Sequence, residues 1–283
     1  MVGIRRRWRT TVRWRQWRAN EATARWNKGL ASTLLLGAVY GMFNEAISTK
    51  GFFDPHFYAV VGMDLMDFGR WGNINVLWAL GMTMVHVVIS ITVPITLTDA
   101  LFPGTRGRLG NKTLSVMLLI FLATVAFAAK HMNPYVPGWK EWLFIVALMA
   151  LLIIAARFIQ PTSLSKRMAL PRDLTLFASG FVGLAVFFLI YTAFHKFVYN
   201  PVLNVLALLC LLAAYAWLLL KLPDHLPVRS KVALATGIYS LPTLASILSG
   251  RFPAAAFAIA VMVAAWVKTK HAESGAAGSS AAL

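Results

Sequence analysis

Two ionisable residues of this chain, Glu45 and His86, lie in stretches that are otherwise apolar. An ionisable group in a hydrocarbon environment is costly, so such a residue is a functional candidate by default. A carboxylate and an imidazole in contact can share a proton and act as a general base. We therefore take Glu45 and His86 as the first candidates for catalytic chemistry.

The spacing before Glu45 predicts the direction in which it faces. Gly37, Gly41 and Glu45 are four residues apart and share one helix face. The two glycines match the small-xxx-small pattern that lets membrane helices approach closely. This pattern favours a Glu45 side chain turned towards neighbouring helices. In the alternative, Glu45 lies at the membrane interface and pairs with Lys50 or Arg70.

His86 belongs to a polar stripe. Thr83, His86, Ser90 and Pro94 follow three- and four-residue steps, which places them on one helix face. A histidine on such a face is either a hydrogen-bonded structural residue or a functional group. A partnership with Glu45 would favour the functional role.

Two more candidates lie on the predicted outer side of the membrane, the side on which Glu45 also lies. There His195 ends a span and Asn200 comes just after it. A metal site is an alternative for this side, because His, Asp and Glu are zinc ligands. No HExxH motif is present and the candidate ligands come from separate segments, so we assign no metal and no cofactor. These candidate ligands are Glu45, Asp54, His56, Asp64, Asp67, His131 and His195.

The composition is typical of an integral membrane protein. Apolar residues make up 59% of the 283 residues and charged residues 13%, and the mean hydropathy is +0.67. A soluble domain has about 25% charged residues. Apolar runs of about 20 residues, the length that crosses a bilayer as a helix, recur along the chain. The sequence therefore predicts an all-α, polytopic transmembrane helical bundle of about eight spans: 29–48, 74–101, 112–130, 141–160, 173–195, 201–221, 230–249 and 252–268.

Three regions are predicted along the chain. Residues 1–28 form a basic segment rich in Arg and Trp, residues 29–268 the transmembrane domain, and residues 269–283 a disordered Gly/Ser/Ala tail. The basic segment is either a cytoplasmic retention signal or a contact for anionic lipid headgroups. The net charge of +17 is not taken as a sign of a nucleic-acid partner. Most of the Lys and Arg residues lie in alternate loops, where membrane topology accounts for them.

That alternation predicts the orientation of the protein in the cell membrane. One set of alternate segments carries 21 of the 27 Lys and Arg residues, and this set includes both ends of the chain. Positive charge accumulates on the cytoplasmic side. Both termini are therefore predicted to be cytoplasmic.

The loop 51–75 is unusually apolar and aromatic for a connection between spans. Such a segment suits an interfacial or re-entrant position, where irregular backbone must be covered by protein or line a cavity. It would either cap the bundle or act as a gate.

Three stretches carry a resemblance to a known family: YGMFNEAISTKGFFDP, then GRWGNINVLW, then HVVISITVPITLTDALFP. Over roughly residues 20–110 the chain resembles an uncharacterised family of prokaryotic multi-pass membrane proteins. The resemblance implies a membrane fold and brings no established activity.

A more distant likeness is to the CPBP (CAAX-protease and bacteriocin-processing) intramembrane proteases, whose pattern is EExxxR, FxxxH and HxxxN. Here Asn44-Glu45 takes the place of the two Glu residues in EExxxR. Lys50 takes the place of the Arg, one residue later than the motif requires. Met82 replaces Phe before His86, and His195 and Asn200 are one residue too far apart. The likeness implies that Glu45 activates water while His86 and His195 bind or polarise the scissile carbonyl.

Three functions remain open from the sequence. A membrane-embedded hydrolase or lipid-modifying enzyme near the outer leaflet requires Glu45, His86 and His195 to cluster. A transporter or channel requires a polar cavity that reaches both faces of the membrane. A non-catalytic scaffold requires satisfied polar pairs without a cavity. A distance above about 10 Å between Glu45 and His86 would exclude joint action on one reacting atom.

The predicted topology can be tested with reporter fusions at the C-terminus. We expect a fused fluorescent protein to fold and an alkaline phosphatase to stay inactive, because the phosphatase needs an exported, oxidising compartment. Fusion after His131 should reverse both signals. An active phosphatase at the C-terminus would contradict the cytoplasmic assignment.

Overall fold

A computed structural model describes residues 30–57, 68–102, 111–131, 133–159, 169–221 and 226–280. These residues form eight helices at the eight predicted ranges, together with one short hairpin. Backbone groups inside a bilayer must be hydrogen-bonded within their own segment, which accounts for the helical content. The helices are α1 (Leu30–Met42, continued by a π-helical turn, Phe43–Ser48), α2 (Val76–Leu101), α3 (Asn111–His131), α4 (Trp139–Phe158), α5 (Asp173–Phe188, continued to Phe197), α6 (Pro201–Lys221), α7 (Val228–Leu248) and α8 (Phe252–Ser280).

The helical membrane bundle predicted from the sequence is confirmed. Six of the described helices, α2 and α4 to α8, are long and apolar enough to cross a bilayer. The other two, α1 and α3, are shorter or less apolar, since α1 carries Asn44 and Glu45 and α3 begins with Asn111-Lys112. Large apolar side chains are exposed on the outside of the bundle, where a bilayer would cover them, among them Leu119, Phe158, Leu174 and Phe257.

One detail differs from the prediction. The last helix continues to Ser280, through residues 269–280 that were expected to be a disordered tail. Pro242 lies within α7, which runs unbroken from Val228 to Leu248. The basic segment 1–28 lies outside the described residues.

The bundle is organised around α2. Its first half contacts α1 and α6, and its second half contacts α7 and α8. Separate apolar clusters surround the two halves, one containing Leu77, Trp78 and Tyr191 and the other Val93, Leu97 and Val232. Between them, residues His86–Thr92 form a π-helical turn.

Pro94 provides a local reason for the turn in α2. Proline lacks an N–H, and its ring clashes with the carbonyl four residues earlier, here that of Ser90. A wider turn gives this carbonyl room. The Thr92 hydroxyl donates to the Val87 carbonyl at 2.7 Å, five residues back, which satisfies one acceptor of the widened turn.

The segment between α1 and α2 packs into the protein. Phe52 and Phe53 are fully buried, and the Asn75 backbone N–H donates to the Phe52 carbonyl at 2.9 Å. A two-strand hairpin, β1 (Arg70–Trp71) and β2 (Ile74–Asn75), leads into α2. The described part of this loop therefore caps the bundle next to α1 and α2. Residues 58–67 lie outside the described chain.

Glycines set the tightest helix contacts. A Cβ atom on Gly237 of α7 would lie 2.0 Å from the Phe177 carbonyl oxygen of α5, and one on Gly180 would lie 2.5 Å from the Leu234 carbonyl oxygen. Both obstacles are backbone atoms, so a side chain at either position must push the helices apart.

We predict that Gly237→Ala destabilises the protein by about 1–3 kcal/mol, the usual cost of overpacking a close contact. Ala245→Leu is the control, because Ala245 lies exposed on the same helix and the added bulk should change stability by less than about 0.5 kcal/mol. Thermal or denaturant unfolding in mild detergent measures both. Equal stability of the two variants would contradict the close α5–α7 approach.

Candidate functional site: a Glu45–His86 pair inside the bundle

Glu45 and His86 are in direct contact. The Glu45 Oε1 atom lies 3.0 Å from the His86 Nε2 atom, and the two side chains are only 6% and 14% exposed. The distance is far below the 10 Å limit set from the sequence, so the pair can act on one reacting atom. The orientation of Glu45 towards the bundle is thereby confirmed.

Close packing of α1 on α2 brings the pair together. A Cβ on Gly37 would lie 3.2 Å from the Val87 Cα, and one on Gly41 would lie 3.0 Å from both the Thr83 Cα and the His86 Cβ. Larger residues at these positions would force the helices apart. The glycine spacing seen in the sequence therefore sets the contact between Glu45 and His86.

Both members of the pair lie in π-helical turns, Glu45 in Phe43–Ser48 and His86 in His86–Thr92. A third such turn, Leu189–Ala193 of α5, contains Tyr191, whose ring lies 6.3 Å from that of Trp78. Fewer than 1% of residues in globular proteins are π-helical, and the turns occur frequently at functional sites. Three π-helical turns thus lie in or beside the cluster formed by Glu45, His86 and Trp78.

Hydrogen bonds hold the Glu45 side chain from several directions. The indole Nε1–H of Trp78 donates to Oε2 at 3.2 Å, and the Asn44 amide donates to Oε1 at 3.2 Å. The Thr49 hydroxyl lies 3.4 Å from Oε2 and 3.1 Å from the Glu45 carbonyl. Indole and amide N–H groups only donate, so Glu45 acts as an acceptor in these bonds, as an ionised carboxylate does.

This network assigns the tautomer of His86. Because Oε1 of Glu45 is an acceptor, His86 carries its hydrogen on Nε2 and donates it to the carboxylate. In the neutral ring the other nitrogen, Nδ1, is then an acceptor, and it lies 3.0 Å from the Ser90 hydroxyl, within reach of that donor. The Asn44 amide also lies 3.0 Å from Nε2. That contact joins two donors in this tautomer, so we count the amide as a donor to Glu45.

Trp78 is positioned by the start of α2. The Asn75 side chain is fully buried and accepts from the Trp78 backbone N–H at 2.8 Å, as an N-cap does. On the other side, Tyr191 lies so close to α2 that a Cβ on Gly81 would reach its ring at 2.2 Å. The indole therefore stands between Glu45 and Tyr191 and has little freedom to turn.

Lys50 anchors the chain just after Glu45. Its buried ammonium donates to the Asn133 carbonyl at 2.7 Å and to the Ala129 carbonyl, near the C-terminal end of α3. The Asn133 amide donates in return to the Thr49 carbonyl at 2.8 Å. A helix C-terminus favours a cation, and the left-handed backbone of Lys50, with φ of 59°, is held by these bonds.

Comparison with known proteins agrees with this architecture. Residues 21–279 match an uncharacterized membrane protein family. The chain belongs to this family. The match confirms the resemblance seen in the sequence and extends beyond residues 20–110. No curated protein and no solved structure matches the chain, and the likeness to CPBP proteases is not shown by any comparison.

The other predicted site residues are not brought into the pair by the described contacts. Asn200 is exposed, and its side-chain oxygen accepts from the backbone N–H groups of Val202 and Leu203, which makes it the N-cap of α6. The side chain of His195 lies outside the described part of the chain.

The metal alternative gains no support from the residues that the structure describes. Among them, no group of three or more His, Cys, Asp or Glu side chains is placed to hold a metal ion. Asp64 and Asp67, two of the proposed ligands, lie outside these residues.

Sequence reasoning missed some contributors to the site. Trp78 is 33 residues from Glu45 along the chain, and no local sequence pattern predicts their contact. Thr49 follows Glu45 at four-residue spacing, so its proximity could have been read from the helical period, as that of Ser90 to His86 was.

We predict that Lys50→Met lowers the free energy of unfolding by about 1.5–3 kcal/mol, because two carbonyl oxygens lose a charged donor. Lys140→Met makes the same chemical change at an exposed lysine and should cost less than about 0.5 kcal/mol. Chemical unfolding of both variants in the same detergent gives the comparison. A Lys50→Met protein as stable as wild type would show that the anchor is not needed.

Proposed function

We propose that this membrane protein is a membrane-embedded hydrolase in which Glu45 and His86 form the proton-accepting dyad. The contact between Oε1 and Nε2 at 3.0 Å carries the proposal. A general base requires its proton-accepting atom to be within hydrogen-bond reach of a nucleophile and oriented by a second group.

The two side chains are suited to different parts of this task. Glu45 is surrounded by donors from Trp78, Asn44 and Thr49, so its lone pairs are largely occupied. It is placed to hold the ring of His86 and to stabilise the imidazolium that forms when a proton is taken up. The lone pair on Nδ1 of His86 then remains as the base. This division differs from the CPBP-like expectation, in which Glu45 itself activates water.

The position along α2 limits the substrate. His86 lies ten residues after Val76, or about 15 Å along a helix that rises 1.5 Å per residue. The dyad is therefore well inside the 26-residue span. Only a substrate whose reacting bond enters the apolar part of the bilayer can reach it, which favours lipids or other membrane-dissolved acyl compounds.

The polar pairs also fit a non-catalytic scaffold, because each atom of the dyad has a partner. The two functions differ in what the pair does to stability. A group retained for function often carries a stability cost, whereas a structural pair leaves an unsatisfied partner when one member is removed.

We predict that Glu45→Gln and His86→Ala lower hydrolysis of fluorogenic acyl esters by about 10²–10⁴-fold, the usual contribution of acid–base catalysis. Their thermal stability should equal or exceed that of wild type. The assay uses purified full-length protein in lipid nanodiscs, with esters of several chain lengths.

Asp173→Asn is the matched control for this experiment. It also converts a carboxylate to an amide, but Asp173 pairs with Arg229 at 2.8 Å, at the first residue of α5. Its ester hydrolysis should remain at the wild-type level. Absence of hydrolysis by wild type, together with a loss of about 1–3 kcal/mol in both dyad variants, would overturn the hydrolase and favour the scaffold.

A further inference from the structure

We propose that Ser90 is the nucleophile of this site and that the substrate is a carboxylic ester dissolved in the membrane. The inference rests on the proposed hydrolase and adds a covalent acyl-enzyme step to it. Three side chains carry it: the Ser90 hydroxyl, the His86 ring and the Glu45 carboxylate.

The three groups form a continuous proton path. The Ser90 Oγ atom lies 3.0 Å from His86 Nδ1, and His86 Nε2 lies 3.0 Å from Glu45 Oε1. This is the arrangement of nucleophile, base and orienting carboxylate that activates a serine in hydrolases on unrelated folds. The tautomer assigned above, with hydrogen on Nε2, leaves Nδ1 free to accept the hydroxyl proton.

The local backbone holds Ser90 against the base. Ser90 and His86 are four residues apart within one π-helical turn, and Pro94 follows Ser90 by four residues. Serine hydroxyls inside helices commonly bond to the carbonyl four residues earlier. Thr96, Thr236 and Ser240 of this protein all do so, whereas the described bond of the Ser90 hydroxyl is to the imidazole.

Access favours a substrate that arrives through the bilayer. Ser90 is partly exposed, while its partner Glu45 is almost completely buried. An ester is the favoured acyl group, because it has no N–H to desolvate and so enters hydrocarbon at a lower cost than an amide.

The reaction balances in two steps. Ser90 Oγ bonds to the ester carbonyl carbon while its proton moves to His86 Nδ1. The carbon–oxygen bond to the alcohol then breaks, and His86 returns the proton to the departing alkoxide. Water next attacks the acyl-Ser90 ester, gives a proton to His86, and releases the carboxylic acid as Ser90 Oγ regains that proton.

A long-chain alkyl fluorophosphonate tests the nucleophile without knowledge of the natural ester, because it phosphonylates an activated serine with loss of fluoride. The protein is labelled as the full chain in nanodiscs, and the adduct is located by peptide mass spectrometry. We expect an adduct on Ser90 in wild type and none at this position in Ser90→Ala. The labelling rate should fall about 100-fold in Glu45→Gln and His86→Ala.

Ser240→Ala is the matched control, since Ser240 is also a partly buried serine in a spanning helix but bonds to a backbone carbonyl. It should be labelled on Ser90 at the wild-type rate. Failure of folded wild type to form the Ser90 adduct would overturn the inference. Labelling that is unchanged when His86 is replaced would overturn it as well.

Ester hydrolysis separates this inference from the broader function. If Ser90→Ala keeps full hydrolysis while Glu45→Gln loses it, water is the direct nucleophile and the Ser90 proposal fails although the hydrolase stands. If Ser90 is labelled in a His86-dependent manner but wild type hydrolyses no ester, Ser90 is activated as proposed and the hydrolase itself fails.

Discussion

The burial of a carboxylate between two membrane helices is the constraint on which this structure depends. Glu45 as a whole residue is 4% exposed in a bundle whose surroundings offer it little water, so its carboxyl oxygens have to be met by donors within the protein. His86, Trp78, Asn44 and Thr49 supply them. The donors come from α1, from α2 and from the loop after α1, so the position of Glu45 ties these three segments together.

Small residues and a proline make that geometry possible. Gly37 and Gly41 let α1 approach α2 to backbone distance, because a methyl group at either position would already be in tight contact with α2. Pro94 accompanies the widened turn that contains His86 and Ser90. At the C-terminal end of α1, Lys50 binds the end of α3 and fixes the residues after Glu45. The close helix packing, the widened turn and the Lys50 anchor thus all lie around the contact between Glu45 and His86.

A fully bonded polar cluster of this kind can serve either structure or catalysis. The donors converge on Glu45, which orients the Nε2 side of the imidazole, while the Nδ1 side faces a hydroxyl. In the proposed catalysis, the proton would pass along this chain from the Ser90 hydroxyl to the His86 ring. Membership in an uncharacterized membrane protein family leaves the chemistry to be established from this geometry.

The sequence by itself determined the helical membrane class and the eight helical ranges, and it favoured an inward direction for Glu45. These follow from local properties: the length of apolar runs, the composition between them and the four-residue spacing of Gly37, Gly41 and Glu45. Only the tertiary structure decided that Glu45 meets His86 and that Trp78 joins them. Such contacts depend on how helices distant in the chain pack together, and helical periodicity says which face a residue occupies without saying what lies opposite.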